Sequence, residues 1–229
     1  LRALGSFQTL QRETGIPDFA HFMAVAGAFD YQQAAVIRVP GDAVEGNAVE
    51  QHSRDIIDRF DTLVEPRCGT LVLFSSRRQM EQVYDELSDD LQKNILIQGQ
   101  YSNREMVRLH KERIDQGRTS VLMGLASFAE GVDLPGDYCR HVVIAKLPFA
   151  VPDDPLHEAL SEWIEDRGGN SFFDIALPIA SLRLIQACGR LLRTESDTGT
   201  VTILDKRLIT KRYGAQLLNA LPPFRREVG

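Results

Sequence analysis

Six short apolar, β-rich runs separated by single amphipathic helical patterns predict an α/β fold with a mostly parallel sheet and helices on both faces. Two observations carry this. The runs are near-continuously apolar rather than alternating, as strands buried on both faces are. Between them, apolar residues fall at helical spacing, as with Met80, Val83 and Leu87 in RQMEQVYDEL and Met106, Leu109 and Ile114 in REMVRLHKERID. In such folds ligands gather beyond the carboxyl ends of the strands, which fixes where chemistry is sought.

The elements follow in order along a single domain, 1–229. Residues 1–30 read as a helical lead-in from a preceding domain. AAVIRV (34–39) is the first strand, followed by a loop at Gly41–Asn47 and a helix over 48–64. TLVLF (70–74) ends at Ser75, Ser76 and Arg77, which open the RQMEQVYDEL helix. NILIQ (94–98) precedes the REMVRLHKERID helix, and SVLMGL (120–125) runs into a Gly- and Pro-bearing turn. HVVIAKL (141–147) leads to helices over 155–166 and 178–193. GTVTIL (199–204) leads to a helix over 207–219, and 222–229 (PPFRREVG) reads as a peripheral or frayed tail.

A composition of 43% hydrophobic and 25% charged residues supports a sizeable core. No apolar run reaches the roughly 20 residues of a membrane span. The opening LRALGSFQTLQRETG has neither an initiator Met nor a basic-then-apolar leader, which suggests a piece of a longer protein. Cys68, Cys139 and Cys188 are odd in number and far apart, with no CxxC knuckle. They read as reduced thiols of a cytoplasmic protein, with no metal held in this chain.

A net charge of −6 does not advertise a nucleic-acid binder, but the charge is unevenly spread. Seven Arg or Lys stand against three acids between Ser181 and Tyr213; six acids and no Lys or Arg lie between Asp153 and Asp166. Local positive potential is enough for a binding face. His110 reads as a solvated histidine on a charged helix, and Trp163 as a core or interface residue.

Three stretches can carry chemistry. Ser75, Ser76 and Arg77 place hydroxyls, a guanidinium and free N–H groups at a helix start, which suits a phosphate; a plain serine cap is the alternative. GLASFAEGVDLPG gathers Ser127, Glu130, Gly131 and Asp133 just after a strand, with Gly131 free to approach a ligand closely or adopt positive φ. In RLIQACGRLLRTES, Gln186, Gly189, Arg190 and Arg193 are spaced to share one helical face, and two arginines a turn apart suit a polyphosphate. The absences matter as much. The chain has no G-x-x-x-x-G-K-[ST] phosphate loop and no strand ending in a DEAH-like carboxylate, so it cannot hold ATP and Mg²⁺ alone.

In this order the three stretches resemble motifs IV, V and VI of superfamily 2 helicases. SFAEGVDLPG followed by QACGRLLR is especially similar to the DinG branch of the XPD-like group, and TILDKRLITKRYGAQLLNALP looks like that branch's C-terminal end. The resemblance implies a RecA-like second motor domain of an ATP-dependent DNA helicase, inactive by itself. Arg193 would be the arginine finger reaching the γ-phosphate of ATP held by the upstream helicase domain. Arg190 would serve the phosphate side, and Gln186 and Gly189 belong to the same cluster. Glu130, Gly131 and Asp133 would couple nucleotide to DNA, with Asp133 near the ribose. Ser75, Ser76, Arg77 and Ser127 would contact the backbone of single-stranded DNA. ATP and Mg²⁺ would be shared with the upstream domain, and an iron–sulfur cluster would lie upstream of this chain. DNA repair is the family's usual setting.

Two other classes compete. One is a catalytically inactive RecA-like nucleic-acid or protein-binding module. The other is a stand-alone α/β enzyme using Asp133, His141 or Cys139, for which no nucleophile–base spacing is evident.

Overall fold

The computed structural model describes residues 2–25, 27, 29–129, 131–149 and 155–229 of the 229, leaving aside the side chains of Leu156 and His157. Its centre is a seven-stranded sheet in which every pairing is parallel. The strands are β1 (Ala35–Val39), β2 (Gly69–Phe74), β3 (Ile95–Ile97), β4 (Ser120–Leu125), β5 (His141–Ile144), β6 (Gly199–Ile203) and β7 (Arg225–Val228), in spatial order β3-β4-β2-β5-β6-β1-β7.

Alternate residues of β2, β3, β4 and β5 feed two cores, because side chains along a strand point to opposite faces. Leu71, Leu73, Leu122, Val142 and Ile144 pack with Met106, Leu177, Leu184 and Leu217 on one face. Val72, Phe74, Val121, Met123 and Val143 pack with Ile56, Phe60, Met80 and Val83 on the other. The first face is thus covered by helices Asn103–Asp115, Leu177–Cys188 and Gly214–Ala220, and the second by Val49–Leu63 and Arg77–Glu86. The all-parallel sheet with both faces covered is the RecA-like architecture expected.

Four expectations need correction. Residues 222–229 are peripheral but not frayed: β7 pairs with β1 over Val36↔Arg225 to Val39↔Val228, with all four of its side chains exposed. Among the described residues of 1–30 only Gln8–Thr14 is α-helical. The 178–193 helix stops at Cys188, capped by Gly189, after a π-helical entry at Phe172–Ala176. The 207–219 helix is two pieces, Arg207–Thr210 and Gly214–Ala220, broken by a turn.

The solvated reading of His110 is overturned, and so is the core half of the core-or-interface reading of Trp163. His110 is fully buried, with Nε2 donating to the Tyr138 carbonyl at 2.8 Å and Nδ1 accepting from the Ser120 hydroxyl at 2.9 Å. Burial holds its pKa down at about 4, against the opposing pull of the Tyr138 bond. Trp163 is half exposed, with the Arg167 guanidinium 4.1 Å from its ring centre.

Candidate functional site

Because all strands run the same way, β1, β2, β4, β5 and β6 deliver their following segments to one edge of the sheet. The segment after β4 forms a one-turn helix, Ala126–Ala129, with Ser127 exposed. It continues through a stretch in which burial alternates: Val132 and Leu134 sit in the core at 4% and 2% exposure, while Gly131 and Asp133 point outward. The two apolar residues therefore anchor the strip that displays Asp133. Gly131 has open space where a Cβ would sit. Glu130 lies outside the described residues.

The arginines reach this strip by a route other than a shared helical face. The helix ends at Cys188, and Arg190 and Arg193 lie in the turns beyond it. Both donate to the same acceptor, the Val132 carbonyl, Arg190 from Nη1 at 3.4 Å and Arg193 from Nη2 at 3.1 Å. Nε of Arg193 also stands 3.5 Å from Asp133. Two guanidiniums thus converge on one point of the 131–133 strip. Gln186 is exposed on the last turns of the helix, and Gly189 caps it.

Asp197, which the sequence reading missed, fixes this arrangement. Its Oδ2 accepts from the amides of Arg193 (2.7 Å) and Thr194 (2.9 Å), and its Oδ1 from the Thr194 hydroxyl (2.6 Å) and the Gly136 amide (3.0 Å). One buried carboxylate ties the loop after the 131–134 strip to the loop carrying Arg193. Burial alone pushes its pKa up, but the bonds from Thr194, Arg193 and Gly136 outweigh this and hold it below the usual carboxylate range. The signal was local: Thr194-x-x-Asp197 in a turn between a helix and a strand suits a self-capping loop.

The segment after β2 is arranged differently. Ser76 is the N-cap of helix Arg77–Glu86, its hydroxyl accepting from the Gln79 amide at 3.4 Å, so the capping reading holds there. The Ser75 hydroxyl is enclosed and makes no hydrogen bond. Arg77 is exposed, 3.8 Å from Glu81. The first turn of this helix is pinned from beneath. Gln79 Nε2 lies 2.9 Å from His52 Nδ1 and 3.2 Å from the Ser53 hydroxyl, and His52 Nε2 lies 2.7 Å from the Leu204 carbonyl. A carbonyl can only accept, so Nε2 carries the proton and Nδ1 accepts from Gln79.

A groove of about 670 Å³ runs between helices Val49–Leu63 and Arg77–Glu86, touching Ser76 but none of the residues around Arg190 and Arg193. Its lining mixes Arg54 and Arg78 with Glu50 and Glu86, so we read it as a furrow between helix surfaces and not as the nucleotide site. Among the described residues no three His, Cys, Asp or Glu could share a metal ion. Cys139 and Cys188 are buried thiols whose pKa burial raises to about 12. No helix among the described residues is long and apolar enough to cross a membrane.

Residues 61–224 match the helicase C-terminal domain. The chain belongs to that family. Its relatives include the ATP-dependent DNA helicase DinG of Photobacterium profundum, 43% identical over the whole of this chain and 34% of that protein. DinG of Escherichia coli K12 is 40% identical over 98% of this chain and 32% of that protein. The chain therefore spans about a third of the length of these curated relatives. Two solved structures share the fold. An XPD helicase superimposes with a TM-score of 0.59 at 17% identity, covering 85% of this chain and 36% of that one. S. tokodaii Xpd4 gives 0.60 at 15% identity, covering 93% and 42%. These relatives bear out the DinG-type resemblance read from motifs V and VI, and the XPD structures bear out the RecA-like fold.

Proposed function

We propose that this domain is the second motor half of an ATP-dependent DNA helicase, presenting Arg193 and Arg190 to ATP held by another domain of the same protein. The observation that carries the reading is the convergence of both arginines on Val132, beside Asp133, in a chain with no phosphate loop. Arg193, a permanently charged forked donor held by a carbonyl and an exposed acid, can transfer from these weak local partners to a phosphate. Charge placed there stabilises the phosphoryl-transfer transition state, an effect typically worth about 10³–10⁵ in rate. Gln186 and Gly189 shape the turn from which the arginines project, and Gly131 leaves space for a nucleotide to approach.

The same edge of the sheet would grip DNA. Ser127 and Arg77 are exposed beyond the ends of β4 and β2, with Ser75 and Ser76 directly before Arg77 at the start of a pinned helix. Loss of the γ-phosphate after hydrolysis would release the arginines, reopen the interdomain contact and change the grip on single-stranded DNA. In this reading Mg²⁺, and any iron–sulfur cluster, belong to the other domain, and this domain alone is inactive. A setting in DNA repair in the cytoplasm fits a protein of this kind.

The test is DNA-stimulated ATP hydrolysis by the complete gene product, wild type against Arg193→Ala, with DNA binding measured in parallel. We expect hydrolysis to fall about 10³-fold or more while DNA binding survives. Unchanged hydrolysis would remove the finger assignment and leave a binding module without catalysis as the better reading.

A further inference from the structure

At the same sheet edge, beyond β5 and β6, lies a cationic corner that the helicase motifs do not include. The register aligns it with the end of β2. Leu73 pairs with Ile144 and Ile144 with Ile203, and the ladders continue through Ala145 N–H to the Leu73 carbonyl (2.9 Å) and Leu204 N–H to the Ile144 carbonyl (3.0 Å). Two residues further on, Ser75, Lys146 and Asp205 leave three adjacent strands at one level, with neighbouring strands roughly 4.8 Å apart.

The corner is built around a buried acid. Asp205, wholly shielded, takes Arg207 as a two-point partner (Nε to Oδ1 3.0 Å, Nη2 to Oδ2 2.7 Å) and accepts from the amides of Gly46 (3.1 Å) and Leu147 (3.0 Å). Lys146 packs against the same point. A Cβ placed on Gly46 would meet Asp205 Oδ2 at 2.5 Å and both Arg207 Nη2 and Lys146 Cδ at 3.0 Å. Among the described residues the local carboxylates are taken, Asp205 by Arg207 and Glu45 by Lys211 at 2.9 Å. The half-buried Lys146 ammonium has no hydrogen bond or ion pair to any described residue, and it sits beside a second cation. Burial, then Arg207, disfavour its charged form. An anion would relieve both. The Arg207 guanidinium also lies 5.5 Å from the centre of the Phe149 ring, which meets Tyr213 edge-on at 5.6 Å. Cations beside aromatic rings at the end of a sheet are the usual composition of a single-strand-binding surface.

We propose that Lys146, with Arg207 beside it, binds a backbone phosphate and extends the single-stranded DNA track from the end of β2 to the ends of β5 and β6. This rests on the helicase reading above. The test titrates fluorescein-labelled oligothymidylate against the complete gene product at several salt concentrations, for wild type, Lys146→Met, Lys146→Gln, Lys146→Arg and Arg77→Met, with thermal melting of each. Lys146→Met keeps the stem that lies against Gly46 and removes the charge. Binding is expected to weaken several-fold near 0.1 M salt. The slope of log affinity against log salt should fall by about 0.7, the loss of one single-strand phosphate contact, in both neutral variants, and Lys146→Arg should restore it. Wild-type affinity and slope in a neutral variant that melts normally overturn the proposal. If Arg77→Met lowers the slope while the Lys146 variants do not, the track stands and only its extension falls. If the wild type fails to bind the oligonucleotide, the DNA reading itself falls.

Discussion

Nε of Arg193 lies 3.5 Å from the Asp133 carboxylate, in a contact between side chains 30% and 76% exposed. An ion pair this open to water contributes about 0–1 kcal/mol, so it positions the guanidinium without trapping it. Asp133→Asn should therefore leave the melting temperature nearly unchanged. Its effect on DNA-stimulated ATP hydrolysis should stay well below the roughly 10³-fold loss expected for Arg193→Ala. Steady-state kinetics of the two variants side by side check this; equal losses would mean that Asp133 acts on the nucleotide directly.

Asp197 should behave as a structural clamp with a catalytic consequence. Asp197→Ala removes one acceptor from four donors in the Gly136 and Arg193–Thr194 loops. Loss of charge-assisted bonds at a buried site should cost on the order of 3 kcal/mol, read by chemical denaturation. Its folded pKa is depressed, so its contribution is complete above the ordinary carboxylate range and is lost as pH falls through and below it. Asp197→Asn should remove that part of the acid sensitivity.

His110 gives a second pH signature in a higher window. Its pKa is about 4 in the folded chain against 6.5 ordinarily, so the unfolded chain takes up the proton first as pH falls. Stability is then full above about 6.5 and declines toward 4, by up to about 3 kcal/mol for this residue. His141 is held at about 4 by burial as well and adds a similar fall. Replacing His110 with Gln should flatten part of the decline in melting temperature between pH 7 and 4.5. An unchanged slope would mean that His110 is charged in the fold.

The corner around Asp205 should be intolerant of change. Asp205→Ala leaves the Arg207 guanidinium and three amides without their acceptor, and breaking a buried pair from one side typically costs about 3–5 kcal/mol. Gly46→Ala should also destabilise, since its methyl would come within 2.5 Å of the Asp205 carboxylate. Urea unfolding of both variants checks the two claims together.

How much of this was legible depended on the kind of signal each segment carries. The six apolar runs stand where strands form, because a strand buried on both faces announces itself by composition. β7 was missed because RREV has no apolar pattern: an edge strand with four exposed side chains is held by ladder bonds that any sequence can make. The 178–193 helix was read too long because Leu191 and Leu192 keep the apolar count going, yet they are buried from the turn that follows Gly189. His110 did leave a trace, lying between Met106 and Ile114 at four-residue intervals on the helix's inner face. Motifs V and VI name the residues of the candidate site. They do not give Val132 or the reach of Asp197 to Gly136, because a shared carbonyl and a bond between distant loops are three-dimensional facts; only the Thr194-x-x-Asp197 half of the clamp has a spacing.

The strand order β3-β4-β2-β5-β6-β1-β7 also bears on how the polypeptide matures as it leaves the ribosome. β1 is the earliest of the seven in sequence, yet its only neighbours are β6 and β7, the last two. β2, β3, β4 and β5 can pair among themselves as they emerge, while β1 waits with both edges open through most of translation. That interval is the window in which a nascent chain most needs shielding, and the sheet closes around its oldest strand last.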